Sequence, residues 1–327
     1  MQFIIGGMKP NRITALDQFR GFAILTMVLA NYMGEVNIVP VWLKHAPDIG
    51  LTVIDLIAPF FIFAIGLTFG MSFRHRKERE GAYKTYNQFF ARYLAIIGLG
   101  AIASAFETAA GKNPSGIDWG VLQAIGMAGL ITLAVIHLPS LYRWLIGAGI
   151  LVIYQLILDK YMLGFTIQSP HGGLFGSLNW GAMLILGTAL ADLFHAEGRL
   201  KKAFPWASLS VMVAGIALAF IVPVSKHRVS SSYVLISLGA SALLFIFFTW
   251  VAGRFNWKGR FLAVWGMNPL VLYFIHYFII GIFYMPGLPA IFQAAQPWLV
   301  VLEMVILIGG VSLVAYWLDR RKIYISL

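Results

Sequence analysis

An all-α, polytopic membrane bundle of about ten helices, with both termini on the cytoplasmic side, is the fold this sequence predicts. Three observations predict it. The 327 residues are 60% hydrophobic and only 11% charged, with a mean hydropathy of +0.81. A soluble domain of this length cannot hide so much apolar surface, whereas a bilayer accepts it. Ten apolar stretches of span length follow one another, at roughly 14–34, 51–73, 90–109, 119–137, 141–158, 176–195, 205–223, 232–251, 260–283 and 297–318. The basic residues are one-sided: 19 of the 24 Lys and Arg fall on the side that carries the termini, which the positive-inside rule makes cytoplasmic. Lys9 and Arg12 belong to that set, while Lys112 is among the few on the opposite side. Topology thus accounts for the net charge of +11, and no nucleic-acid partner is implied.

The first span opens with Asp17 and Arg20, three residues apart and neighbours on one helical face, a spacing that predicts a structural ion pair at the boundary. Asn31 lies fourteen residues beyond Asp17, 40° short of four whole turns and roughly 21 Å along the axis, so it points into the same seam from the outer end. Pro59 in span two and Pro269 in span nine should weaken or kink their helices. The charged run Arg74 to Glu80 reads as a solvated loop at the lipid headgroups. Glu107 and Glu303 lie toward the outer ends of their spans, placed to snorkel or to pair, and Gln123 sits near the outer end of span four. The outer loop 159–175 is turn-rich around Ser169-Pro170-His171, and the loop 284–296, with Pro286 and Pro289, reads as irregular. Lys226, His227 and Arg228 form the one basic cluster on the outer side, suited to an anionic acceptor or a substrate phosphate. The tryptophans near span ends (Trp42, Trp119, Trp180, Trp257, Trp298 and Trp317) fit an aromatic belt.

Chemistry concentrates at His45 and Asp55. An ionisable side chain inside a membrane helix costs about 2.5–3.5 kcal/mol on insertion scales, so Asp55 and the mid-span His276 are functional candidates by default. A histidine beside a carboxylate can take or deliver a proton near neutral pH. The chain has no cysteine, which excludes thiolate nucleophiles, disulfides and Cys-based metal sites. Its seven histidines show no i, i+4 pairing with a carboxylate, so no metal is implied. Nucleophile-elbow, zincin, P-loop and dinucleotide fingerprints find no fitting context. Residues Met1 to Gly7 do not read as a cleavable signal. Neither a soluble domain nor a strong internal repeat stands out, and residues 1–327 read as a single transmembrane domain.

These residues resemble a known family. Leu16-Asp17-Gln18-Phe19-Arg20-Gly21-Phe22-Ala23, Asn31-Tyr32, Lys44-His45-Ala46 and Gly50-Leu51-Thr52-Val53-Ile54-Asp55-Leu56 are similar to the catalytic membrane domain of heparan-α-glucosaminide N-acetyltransferases. Gly120-Val121-Leu122-Gln123, Ser225-Lys226, Ser230-Ser231-Ser232-Tyr233 and Gly266-Met267-Asn268-Pro269 with Tyr273 and His276 resemble further motifs in the same order. The resemblance implies transfer of an acetyl group from acetyl-CoA to a sugar amine, with His45 as the active histidine and Asn31 as its asparagine partner. It implies supporting or substrate-binding places for Gln123, Lys226, Ser231, Tyr233, Asn268 and His276. Asp55 matches a family aspartate, and its catalytic role is inferred from chemistry. The 35–44 loop differs from the family's glycine-rich run. The expected protein is a compact bacterial relative in the cytoplasmic membrane, without the family's non-cytosolic N-terminal domain.

With the donor made in the cytoplasm and His45 near the outer face, two routes stay open. A channel lets CoA reach His45 as general base, or His45 carries the acetyl group as acetyl-imidazole. Asn31 would stabilise the oxyanion and Asp55 would orient the ring. CoA contacts fall to Lys84, Arg92 and Arg254 on one side or Lys226 and Arg228 on the other. A proton-coupled transporter or lipid-linked-sugar flippase, with Asp55 and His276 as relays, is the alternative from another class; a silent membrane scaffold is a third. The acceptor and the oligomeric state stay open, a homodimer included.

Overall fold

The computed structural model describes residues 2–5, 14–109, 118–169, 171–255, 257–284, 287–288 and 290–326. Lys9, Arg12, Lys112, Pro170, Pro286, Pro289 and the Glu107 side chain, all drawn on above, lie outside the described residues. The helices are α1 (Thr14–Met33), α2 (Ile57–Glu80), α3 (Ala82–Ala109), α4 (Val121–Val135), α5 (Ser140–Ile157), α6 (Leu163–Thr166), α7 (Gly173–His195), α8 (Gly198–Leu218), α9 (Ser231–Phe255), α10 (Arg260–Met267), α11 (Pro269–Tyr284) and α12 (Pro297–Arg320). Short strands β1 (Gln2–Ile5) and β2 (Ile323–Ser326) flank them.

Each of the ten predicted spans overlaps helix. Six helices are long and apolar enough to cross a membrane: Ile54–Glu80, Ala82–Phe106, Ser140–Thr166, Gly173–His195, Ser231–Phe255 and Pro297–Arg320. The protein is thus a multi-pass, helical membrane protein. The remaining predicted spans fall short for visible reasons. Helix α4 has only 15 residues; α1 is diluted by Asp17, Gln18, Arg20 and Asn31, and α8 by Lys201, Lys202 and Pro205.

The ninth span, expected as one helix over 260–283, is instead α10 and α11, bent by 91° at Asn268. Pro269 is the cause. It lacks an N–H and keeps the preceding residue out of helical geometry, yet it suits the first turn of a new helix. Asn268 accordingly leaves the helical region, at φ −131° and ψ 53°. Pro59 meets the opposite fate: it is the third residue of α2, where an N–H has no helical partner to lose, and α2 runs on to Glu80.

Contacts divide the chain into two compact units, each assembled from separated stretches. The first comprises residues 1–45, 52–57 and 244–327. Helix α1 packs on α10, α11 and α12 there. Its crossing with α10 is backbone on backbone: a Cβ at Gly21 would overlap the Leu262 carbonyl, and one at Gly266 the Asp17 carbonyl. Phe19 adds edge-on contacts to Phe245 at 5.7 Å and Phe248 at 6.1 Å, and fully buried Trp265 donates its Nε1–H to Ser312 Oγ at 3.2 Å. Strand β1 pairs antiparallel with β2, Gln2 opposite Ser326 and Ile5 opposite Ile323, a ribbon that the all-α expectation lacked. Asn268 ties the helix break to it through Nδ2–H to the Ile323 carbonyl, 3.0 Å. The paired segments lie side by side, hence on the same side of any bilayer the chain spans.

The second unit comprises residues 46–51 and 58–243. Helix α7 is its axis, in contact with α4, α5, α6 and α8 and buried from Gly181 to Ala191. Apolar on all sides, it behaves as a core helix should. A Cβ at Gly66 on α2 would stand 3.1 Å from the Gly187 carbonyl carbon on α7, the close approach that small residues give membrane helices. Buried Arg143, in the first turn of α5, ties that helix to the end of α7 through an ion pair with Asp192 and a 2.7 Å hydrogen bond to Thr188 Oγ1.

The α1–α10 crossing yields a stability test. Gly266→Ala should destabilise the protein by about 1–3 kcal/mol through overpacking against a carbonyl. Gly253→Ala, whose Cβ meets nothing within 4 Å, should be neutral or slightly stabilising by helix propensity. Thermal unfolding of the purified variants in one detergent reads the difference.

Candidate active site

Asp55 is almost fully buried at the entry to α2, in the 3-10 turn Ile54–Leu56. Its carboxylate is held from two sides. Oδ2 accepts the Thr52 N–H and the Thr52 hydroxyl, each at 3.0 Å, while Oδ1 meets His45 Nδ1 at 2.7 Å. Thr52 and Asp55 form one half of a capping box, a Thr followed three residues later by an acid that reaches back to the Thr N–H. That Thr-x-x-Asp spacing is visible in the sequence, and Thr52 is a residue the sequence reading passed over.

An ionised carboxylate only accepts, so the proton in the His45–Asp55 bond belongs to Nδ1. The lone pair is therefore on Nε2. The His45 side chain is 42% exposed and that of Asp55 is not exposed at all. The arrangement is an imidazole oriented through Nδ1 by a buried carboxylate.

A second polar pair stands in the same unit. Asn31 Nδ2 lies 2.9 Å from Nε2 of His276, on α11. The amide nitrogen can only donate, so His276 accepts at Nε2 and carries its own proton at Nδ1. His276 is fully buried, with Tyr277 at 4.3 Å and Tyr273 at 5.4 Å between ring centroids. Next along α1, Tyr32 donates its hydroxyl to Glu303 on α12 at 2.6 Å. Glu303 is buried and paired, which decides between the two placements expected for it. The sequence carries no sign of the Tyr32–Glu303 pair, whose members are 271 residues apart. Asp17 is buried and Arg20 half-buried at the start of α1.

In the second unit the basic cluster at 226–228 differs from its sequence reading. Arg228 does not present its fork to an incoming anion, because Asp48 occupies it: Nε lies 2.9 and 3.1 Å from the two carboxylate oxygens, and Nη2 joins the ion pair. Ser225 Oγ donates to the same carboxylate at 2.9 Å, and the Gly50 N–H donates to the Val224 carbonyl at 2.8 Å. Lys226 is buried. The turn that presents Arg228 is strained, since Val229 takes φ +47°, unusual for a β-branched residue. Asn179 secures it with a 2.7 Å bond to the Val229 carbonyl.

The other supporting residues are engaged in packing. Ser231 donates its N–H to Gln155 Oε1 at 3.0 Å and its hydroxyl to the Leu151 carbonyl at 2.8 Å. Tyr233 is fully buried, edge-on to Trp180 at 5.8 Å. Gln123 donates to the Asp118 carbonyl at 3.1 Å. Of the cations considered for CoA, Lys84 is exposed 3.8 Å from Glu80, and Arg92 and Arg254 lie over Tyr93 and Phe255. Among the described residues no cluster of three or more His, Asp or Glu side chains could hold a metal.

Comparison with known proteins adds a family. The family model described as Heparan-alpha-glucosaminide N-acetyltransferase, catalytic, matches residues 12–249. That stretch contains Asn31, His45, Asp55, Gln123, Lys226, Ser231 and Tyr233; Asn268 and His276 lie beyond it. Heparan-alpha-glucosaminide N-acetyltransferase of Homo sapiens is 42% identical over 64 residues, 19% of this chain and 9% of that protein. The Mus musculus protein of the same name is 30% identical over 144 residues, 42% of this chain and 20% of its own length. The matched stretches thus span a fifth or less of these relatives.

Asp48 provides a pH test. The Arg228 guanidinium, aided by the Ser225 hydroxyl, holds its carboxyl below the usual carboxylate range despite partial desolvation. A lowered folded-state pKa stabilises above the unfolded value, and the contribution disappears as pH falls through the folded one. Asp48→Asn should therefore melt below the parent at neutral pH. The gap should begin to close once pH drops below about 4 and vanish in stronger acid; a gap that persists unchanged there would remove the ion pair as its cause.

Proposed function

Because the chain belongs to the heparan-alpha-glucosaminide N-acetyltransferase catalytic family, we propose that it is a membrane-embedded acetyltransferase that moves an acetyl group from acetyl-CoA to the amine of a sugar. The observation that carries the reading is the 2.7 Å bond between His45 Nδ1 and a carboxylate already fixed by Thr52. It leaves Nε2 as the base.

In the proposed reaction the acceptor amine attacks the thioester carbonyl, forming the C–N bond while its proton passes to Nε2 of His45. Asp55 stabilises the imidazolium that results. Asn31 Nδ2 gives one hydrogen to His276, and its second hydrogen is the donor proposed for the oxyanion. Collapse breaks the C–S bond, and the departing CoA thiolate recovers the proton from His45. Direct transfer is preferred to an acetyl-imidazole, which hydrolyses readily in a wet site. Gln123, Lys226, Ser231 and Tyr233 support the fold of the second unit and Asn268 that of the first, and Asp17 with Arg20 fixes the depth of α1. The topology that goes with it has ten crossings and cytoplasmic termini, in a bacterial inner membrane; the side-by-side β1 and β2 segments support an even number of crossings.

Detergent-purified protein, labelled acetyl-CoA and glucosamine provide the test. His45→Ala should lower kcat by about 10²–10⁴-fold, the usual contribution of a general base. Asp55→Asn should also cost on the order of 10²-fold or more, because the amide disfavours the required tautomer. Undiminished product from His45→Ala would sink the assignment of the base. Failure of the parent protein to bind CoA would remove the donor.

A further inference from the structure

The segment leading into His45 is built for a surface other than water. Residues 36–43 read Val-Asn-Ile-Val-Pro-Val-Trp-Leu, with one polar side chain in eight. One side of the segment faces inward: Val36 is fully buried, and the Asn37 N–H donates to the Gln293 carbonyl at 2.8 Å. The other side faces outward and is apolar. Ile38 is exposed, and Val41 and Trp42, in the 3-10 turn Val41–Leu43, are 75% and 66% exposed. Val53, two residues before Asp55, is exposed as well. Water-facing loops do not usually gather apolar side chains in this way.

A second observation says what covers them. Gln293 precedes Pro297, the first residue of α12, by four positions, and α12 is one of the six helices fit to cross a membrane. Helix α12 exposes Val301, Leu302, Val305 and Ile306 outward, and Trp298 in its first turn is also exposed. An exposed tryptophan at the end of a lipid-facing helix marks the level of the bilayer–water boundary. The Asn37–Gln293 hydrogen bond therefore sets the segment at that level, continuous with the lipid-facing surface of α12. His45 follows Trp42 by three residues.

We propose that this segment is a lipid-facing dock for an amphiphilic acceptor: an amino sugar carried on a lipid, its hydrocarbon against Val41 and Trp42 and its amine at Nε2 of His45. The proposal rests on the acetyl-transfer reading of His45. A lipid-borne acceptor already lies at the boundary where the apolar rim is, whereas a free sugar gains nothing from that rim.

The test uses the full chain in phospholipid nanodiscs with labelled acetyl-CoA and two acceptors, glucosamine and its dodecyl glycoside. The dodecyl glycoside should show kcat/KM at least about tenfold above glucosamine, since a buried alkyl chain adds affinity per methylene. Partition into the disc alone would give a preference indifferent to the loop. The double variant Val41→Ser with Trp42→Ser should therefore lose most of the preference, read as the ratio of the two kcat/KM values. Equal kcat/KM for the two acceptors with the parent protein, a readout needing no variant, would overturn the dock while leaving the acetyltransferase standing. A preference that survives the double substitution in full would also overturn it. Transfer to neither acceptor would instead remove the acetyltransferase reading, and the dock with it.

Discussion

A carboxylate buried at the mouth of an apolar helix must be satisfied by its own neighbours, because burial takes it out of contact with bulk solvent. Asp55 meets that requirement with the Thr52 N–H, the Thr52 hydroxyl and His45 Nδ1. The rest of the candidate site follows from this constraint. The capping half-box fixes where α2 begins and points the carboxylate back along the chain. The carboxylate then fixes the tautomer and the orientation of His45. Take away the carboxylate and the imidazole loses both its preferred proton position and its anchor; take away the imidazole and a buried anion loses a donor.

The polar groups of α1 obey the same constraint by another route. Asn31 and Tyr32 are adjacent, so their side chains leave the helix about 100° apart, and each reaches a different helix: Asn31 to His276 on α11, Tyr32 to Glu303 on α12. Both contacts need α1 to lie close among its neighbours. Gly21 and Gly266 permit that closeness where α1 meets α10, and Pro269 then turns the chain by 91° so that α11 starts in a new direction. Two glycines and a proline thus set the frame in which the amide and imidazole meet.

Much of this was legible in the sequence. Hydropathy located the helices because a membrane span advertises itself locally, and His45 with Asp55 stood out because they are ten residues apart with an apolar helix between them and the next charge. Pro269 announced a break, though not its size. What escaped is long-range. Nothing in the neighbourhood of Arg228 reveals that Asp48, 180 residues earlier, fills its guanidinium fork, so the cluster read as an open anion site. Tyr32 and Glu303 are equally remote, and the Asn31–His276 bond joins two residues that had each been noticed without the other. The β1–β2 ribbon was missed because four-residue strands carry too little pattern to be read alone. Local periodicity identifies an element; only packing identifies the partner of a polar group.

In the proposed reaction the base is His45 rather than His276 for a physical reason. General-base catalysis creates a cation on the ring, and a cation needs either solvent or a facing anion. His45 has both: a partly exposed side chain and the buried Asp55 carboxylate in contact. His276 is fully buried, and its Nε2 lone pair is already engaged by the Asn31 amide. A proton taken up there would break that bond and put a charge among aromatic rings. A neutral amide–imidazole pair is what a low-dielectric interior tolerates at least cost. The pair holds the Asn31 amide in one orientation, and in the proposed reaction the developing positive charge is confined to His45.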